Sequence, residues 1–145
     1  MKILSVPLLS ILLLFANCVG TRSANEKDDK SILQLLDGNY IIVSINDQNV
    51  ENRGLTMNFY RSTGNVSGNA GCNQYFGSFL QENKSLFFSK VGATKKYCQD
   101  SGIRKLEKQL LSLLSSIKSM DRIKSGNFDF YNDGSELVLS ITILK

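Results

Sequence analysis

The chain has 145 residues, no histidine and no tryptophan, and a formal net charge of +4; 42% of it is hydrophobic, part of which belongs to the N-terminal run. That length has room for one domain, and the missing histidine excludes histidine-dependent triads and histidine zinc sites. So small a charge, with acidic and basic residues interspersed, argues against nucleic acid as a partner.

Met1-Lys2 followed by the apolar run Ile3 to Phe15, broken by Ser5, Pro7 and Ser10, has the form of a secretory signal over residues 1–17. The run is shorter than the roughly 20 apolar residues a membrane-spanning helix needs. Phe15-Ala16-Asn17-Cys18 resembles a bacterial lipobox, in which Cys18 becomes the lipidated first residue, although Asn17 stands where Gly, Ala or Ser is usual. The alternative is an ordinary signal cleaved nearby, for instance after Gly20, which discards Cys18. Residues 18–30, including the polar stretch Thr21 to Lys30, are expected to form a flexible tether to a folded domain over 31–145.

Within that domain Ile32, Leu33, Leu35 and Leu36 suggest a short helical turn, and Tyr40 to Ile45 a buried strand, followed by a turn at Asn46 to Asn49. Leu55, Met57 and Phe59 alternate with Thr56, Asn58 and Tyr60, the period of a half-buried strand. Tyr75 to Leu80 and Leu86 to Ser89 read as strands joined at Gln81 to Lys84, so consecutive hairpins and an antiparallel meander are expected. From Asp100 to Met120 the apolar residues Ile103, Leu106, Leu110, Leu113, Leu114 and Ile117 recur at helical spacing, with Asp100 or Ser101 as the cap. Arg122 to Lys124 and Asn127 to Tyr131 extend again. Asn132 to Ser135 then turns the chain into Glu136 to Leu144, whose Leu137, Leu139, Ile141 and Ile143 share a face. The fold class is α+β, mainly β: a curled antiparallel sheet packed on one amphipathic helix, with closure into a barrel left open.

The most informative stretch is VSGNAGCNQYFGSF, Val66 to Phe79, answered by ATKKYC, Ala93 to Cys98. It reads as a small-residue turn leading into an aromatic strand. Gly68, Gly71 and Gly77 suit positive φ or close backbone approach, and Asn65, Asn69 and Asn73 tolerate the same region. For Asn73 and Thr94, turn and backbone hydrogen bonding is the first reading and ligand contact the second. Glu107, between Ile103 and Leu110, is read first as an exposed helix residue, with acceptance of hydrogen bonds at the edge of the apolar face as the alternative. The motif SGNAGCNQYFGSF with Tyr75 at its centre, Thr94-x-x-x-Cys98, Glu107 and the closing Glu136-Leu137-Val138-Leu139 together resemble the META domain family, which includes the heat-shock protein HslJ. The resemblance covers roughly Leu33 to Leu144 and departs from the family where it commonly opens with tryptophan, here Tyr40. It implies a compact, mostly β domain of the cell envelope and names no reaction.

The remaining chemistry is sparse. With Cys18 at the signal boundary, Cys72 and Cys98 are left as an even pair in an exported protein and are expected to form a disulfide; two buried free thiols are the alternative. Closing that loop would stabilise the fold by roughly 3.5 kcal/mol in the chain-entropy model. Three cysteines so spaced make no four-cysteine metal site and no C-x-x-C motif, and Gly64, Gly68 and Gly71 lack the Gly-Lys-Ser/Thr ending of a phosphate loop. Asp47, Glu51, Asp129, Asp133 and Glu136 fall in turns or on exposed faces and suggest no carboxylate pair. We therefore expect no enzymatic activity, metal or cofactor. Lys95, Lys96, Arg104, Lys105 and Lys108 read as a solvated face. The aromatic residues Tyr75, Phe76, Phe79, Phe87, Phe88, Phe128, Phe130 and Tyr131 read as core, or else as the lining of a groove for an acyl chain or peptide. The expectation is a monomeric, non-enzymatic lipoprotein of the outer membrane, facing the periplasm or the surface, that binds or protects an envelope component under stress. Its alternatives are a soluble secreted or periplasmic form, and a module that takes a hydrophobic ligand or lipid into the sheet interior.

Overall fold

The computed structural model describes residues 38–124 and 126–144. The signal segment, the tether with Cys18 and the helical turn expected at Ile32 to Leu36 lie outside the described residues. The elements in chain order are β1 (Gly38–Ile45), β2 (Gln48–Asn49), a 3-10 turn (Glu51–Arg53), β3 (Thr56–Tyr60), β4 (Asn65–Asn69), β5 (Gln74–Glu82), β6 (Ser85–Ala93), α1 (Ser101–Leu114), β7 (Ile117–Lys124), β8 (Asn127–Asn132) and β9 (Leu137–Ile143).

Each long strand pairs antiparallel with the next, and β9 returns to β1 in a register running from Tyr40↔Ile143 to Ile45↔Leu139. The result is a closed eight-stranded barrel, with β2 as a short spur on the end of β1. Closure removes the exposed edges that an open meander would leave. The thinnest seam is between β6 and β7, where Ser85 faces Ser119 and the Met120 amide donates to the Lys84 carbonyl at 2.8 Å. That seam is where the chain leaves the sheet to make α1.

Alternation fills the interior. Tyr40, Ile42, Met57, Phe59, Tyr75, Phe128, Phe130, Leu139 and Ile141 are all buried. Their rings meet mostly edge to face, with Tyr40 5.9 Å from Phe59 and 5.8 Å from Phe128, and Phe59 5.0 Å from Phe79. An eight-stranded barrel is just wide enough for side chains to fill, and these do.

Asp100 caps α1 by accepting the Ile103 amide at 3.0 Å, and the Leu106, Leu110 and Leu114 stripe is buried into the same core, each contributing roughly 2 kcal/mol. The helix covers the barrel end where Leu55, the β4–β5 turn and the close of β6 lie. It stops earlier than its periodicity predicts. The Ser115 and Ser116 hydroxyls each donate at 2.8 Å to last-turn carbonyls, of Ser112 and Leu113 respectively. Ile117 then begins β7 opposite Asn132. An apolar residue at that spacing satisfies either period, and pairing decides.

Candidate functional site

β4 corrects the reading of Val66 to Gly68 as a turn. Val66 and Gly68 are buried strand residues, and only Ala70 to Asn73 turns, closed by the Ala70 amide donating to the Asn73 carbonyl at 2.8 Å. Gly68 is needed for close approach. The Tyr75 hydroxyl donates to the Thr56 carbonyl at 2.9 Å beside it, and a Cβ on Gly68 would overlap that carbonyl and the Tyr75 ring. Burial pushes the Tyr75 phenol above its ordinary range, so it stays a donor. Gly71 answers a different need, with φ of 116° and the Ile103 side chain of α1 occupying the space a Cβ would take. Gly77 sits where β5 passes close to the Ser89 carbonyl.

Asn73 is the hub of this end. Its carboxamide oxygen accepts from the Thr94 hydroxyl at 2.8 Å and the Lys96 amide at 2.7 Å. Its nitrogen donates to Glu107 Oε1 at 2.8 Å and to the Lys96 carbonyl at 3.5 Å. Glu107 Oε2 accepts the backbone amides of Asn73 at 2.8 Å and Cys72 at 3.3 Å. Thr94 in turn accepts the Gln74 amide at 3.2 Å. Glu107 is therefore a partly buried acceptor of three hydrogen bonds, and the exposed reading of it is overturned. A glutamate is seldom buried without partners, and here the turn amides supply them. Cys72 and Cys98 are joined by a disulfide with their Cα atoms 6.1 Å apart, and the Arg104 guanidinium donates to the Cys98 carbonyl.

The structure brings Gly71, Cys72, Asn73, Thr94, Cys98 and Glu107 together into one latch between the β4–β5 turn, the end of β6 and α1. Its polar groups are largely committed to structure. All four hydrogen-bonding positions of Asn73 are used, and the carboxylate of Glu107 is committed to the amides. Among the described residues no group of His, Cys, Asp and Glu is placed to hold a metal ion. The main chain of Lys96, invisible as a motif, is the hub's third support.

The aromatic set divides. Tyr75, Phe128 and Phe130 are core, Phe79 and Phe88 pack half-buried against it, and Phe76 and Phe87 stand exposed on the outer face. Of the basic residues, Lys105 and Lys108 line a shallow groove with Asn46, Gln109 and Ser112. Lys84, on the other end, pairs with Asp121 at 2.6 Å, and that hydrogen bond holds its ammonium above the ordinary lysine range.

The META domain model matches residues 33–140. Three solved structures share the fold. One is the NMR structure of a protein from Burkholderia xenovorans (21% identity, TM-score 0.58, 75% of this chain and 83% of that one). A second NMR structure of a protein has 17% identity and TM-score 0.58 over 76% and 92%. The crystal structure of a DUF4847 family protein from Bacteroides vulgatus has 9% identity and TM-score 0.52 over 73% and 92%. Comparison with curated proteins finds no match.

Proposed function

From the premise that the chain belongs to the META domain family, we propose that it is a non-enzymatic binding domain of the cell envelope, held at the outer membrane by a lipid on Cys18. The observation that carries this reading is the Cys72–Cys98 disulfide. Disulfides persist in oxidising compartments, which agrees with an export signal at residues 1–17 and a tether at 18–30. Lipidation adds the anchor, since more than one acyl chain holds a protein stably at a membrane. The polar groups of the latch are committed to one another, so the reading assigns them to structure and leaves binding to other surfaces. A role in protecting an envelope component under stress follows the same reading. Ring packing inside the barrel, among the described residues, counts against a ligand held there.

The test is the intact mass of the protein from membranes of its native host, before and after reduction. A chain that begins at Cys18, carries acyl mass and gains two hydrogens on reduction is the expected result. An unlipidated chain beginning further along would overturn the anchor. A mass unchanged by reduction would overturn the exported disulfide.

A further inference from the structure

We propose that the outer face of β3 to β6 is a binding site for an acidic glycan. The proposal rests on the binding role argued above and names its ligand class. On β4 the outward residues Asn65 and Ser67 are small and polar. Register places Tyr60 of β3 opposite Asn65, and on β5 Ser78 opposite Asn65 and Phe76 opposite Ser67. A polar floor thus runs between two aromatic rings. Tyr60 is 48% exposed and Phe76 56%, and with Lys90 these residues line a groove of about 490 Å³.

The Phe76 ring is fixed as a platform. It lies across Gly92 on the neighbouring strand, so closely that a Cβ there would stand 3.1 and 3.2 Å from two ring carbons. One face of the ring rests on backbone and the residue remains open to solvent. Lys90 is the second unusual feature. The described non-glycine residues with left-handed backbone are Asn46, Asp47, Asn83, Lys90 and Ser135, and Lys90, with φ of 53°, is the one inside a strand. It sits where the β5–β6 register shifts between Phe76 and Ser78. Glycine would take that conformation without strain, and bulges commonly re-aim a side chain beside a binding site. Here the re-aimed residue is a lysine lining the groove.

Aromatic faces stack on the apolar faces of sugar rings, as flat amphipathic surfaces do on one another. The Asn65 amide and the Ser67 and Ser78 hydroxyls offer donors and acceptors to hydroxyls around a ring edge, and the Lys90 ammonium complements a carboxylate. No carboxylate side chain lines the groove. A uronic acid or other carboxylate-bearing sugar fits that set.

The experiment titrates the full chain with an alginate hexasaccharide, using neutral chitohexaose as control, and follows backbone amide shifts and heat of binding. The uronate oligomer is expected to bind, shifting the Asn65, Ser67, Gly77 and Lys90 amides, at least about tenfold more tightly than chitohexaose and less tightly as salt is raised. Phe76→Ala should weaken binding about tenfold. Lys90→Gly should weaken it similarly while the melting temperature holds or rises, an outcome that a merely structural lysine would not produce. No binding, shifts confined to the helix groove at Lys105 and Lys108, or unchanged affinity in Lys90→Gly would overturn the site. A chain that binds no glycan yet is acylated at Cys18 would sink this inference and leave the anchored binder standing; a glycan-binding chain without lipid would do the reverse.

Discussion

The helix-covered end of the barrel and the outer face of β3 to β6 are built on opposite principles, although Cys72, Asn73 and Gly77 lie within a few residues of Phe76. At the covered end every polar position of Asn73 has a partner, glycines stand where a methyl group would collide, and a disulfide ties the ends together. On the outer face the Tyr60, Phe76 and Phe87 rings stand in solvent, and a lysine holds a backbone conformation that the other described non-glycine residues with it adopt outside the strands. The difference teaches that the recognisable signature marks where folding is most exacting. Within that same stretch Ser67, Phe76 and Ser78 face outward and line the groove proposed as a binding site.

The sharpest way to break this comparison is Gly68→Ala. A Cβ there overlaps the Thr56 carbonyl, which is backbone and cannot step aside, so we expect a loss of about 3 kcal/mol or more, or failure to fold. Urea unfolding that finds Gly68→Ala within about 1 kcal/mol of the parent would contradict the crowding argument. Replacing both Cys72 and Cys98 by alanine should cost about 2–4 kcal/mol. The upper half of that range is expected, because the cross-link acts mainly by restricting the unfolded chain, in which the Asn73 bonds to Lys96 and Glu107 are absent. A variant as stable as the parent would make the disulfide a bystander.

A smaller effect separates the helix cap from the latch. The Ile103 and Gly102 amides hold the Asp100 carboxyl below its usual range. Its contribution is therefore present above the unfolded-state value near pH 4 and is lost as pH falls through the lowered folded value. Asp100→Asn, which keeps a capping oxygen without the titration, should flatten the acid limb of the melting-temperature profile between about pH 4 and pH 2. An unchanged acid limb would remove Asp100 from the account. The smallest effect belongs to the other region: Phe76→Ala should alter unfolding free energy by no more than about 0.5 kcal/mol, as at surface sites generally. A loss of about 2 kcal/mol would make Phe76 a packing residue and erase the contrast.

Much of the barrel was legible one strand at a time. Leu55, Met57 and Phe59 alternate with polar neighbours, and the turns at Asn46 and Asn132 carry the residues that tolerate left-handed backbone. β4 escaped because Ser67, Gly68 and Asn69 give alternation almost no apolar amplitude, and the burial of Gly68 comes with Tyr75 reaching over it. Closure of β9 on β1 joins strands from opposite ends of the domain, which no local pattern encodes. The helix end at Leu114 depended on two serine hydroxyls outcompeting one more turn. In the candidate site, counting found the cysteine pair. Glu107 was misjudged because helical spacing tells which face a residue is on and not what stands across from it. Lys90 was unreadable for a related reason, since a bulge exists only relative to the partner strand.

The most direct test of the latch is a double-mutant cycle on Asn73→Ala and Glu107→Ala, followed by urea unfolding. Each single change leaves buried partners unanswered, so each should cost about 2–3 kcal/mol. The double should cost much less than their sum, with a coupling of about 1–2 kcal/mol. Additive losses would mean that the two side chains act independently, and the signature could not then be the structural latch described for it.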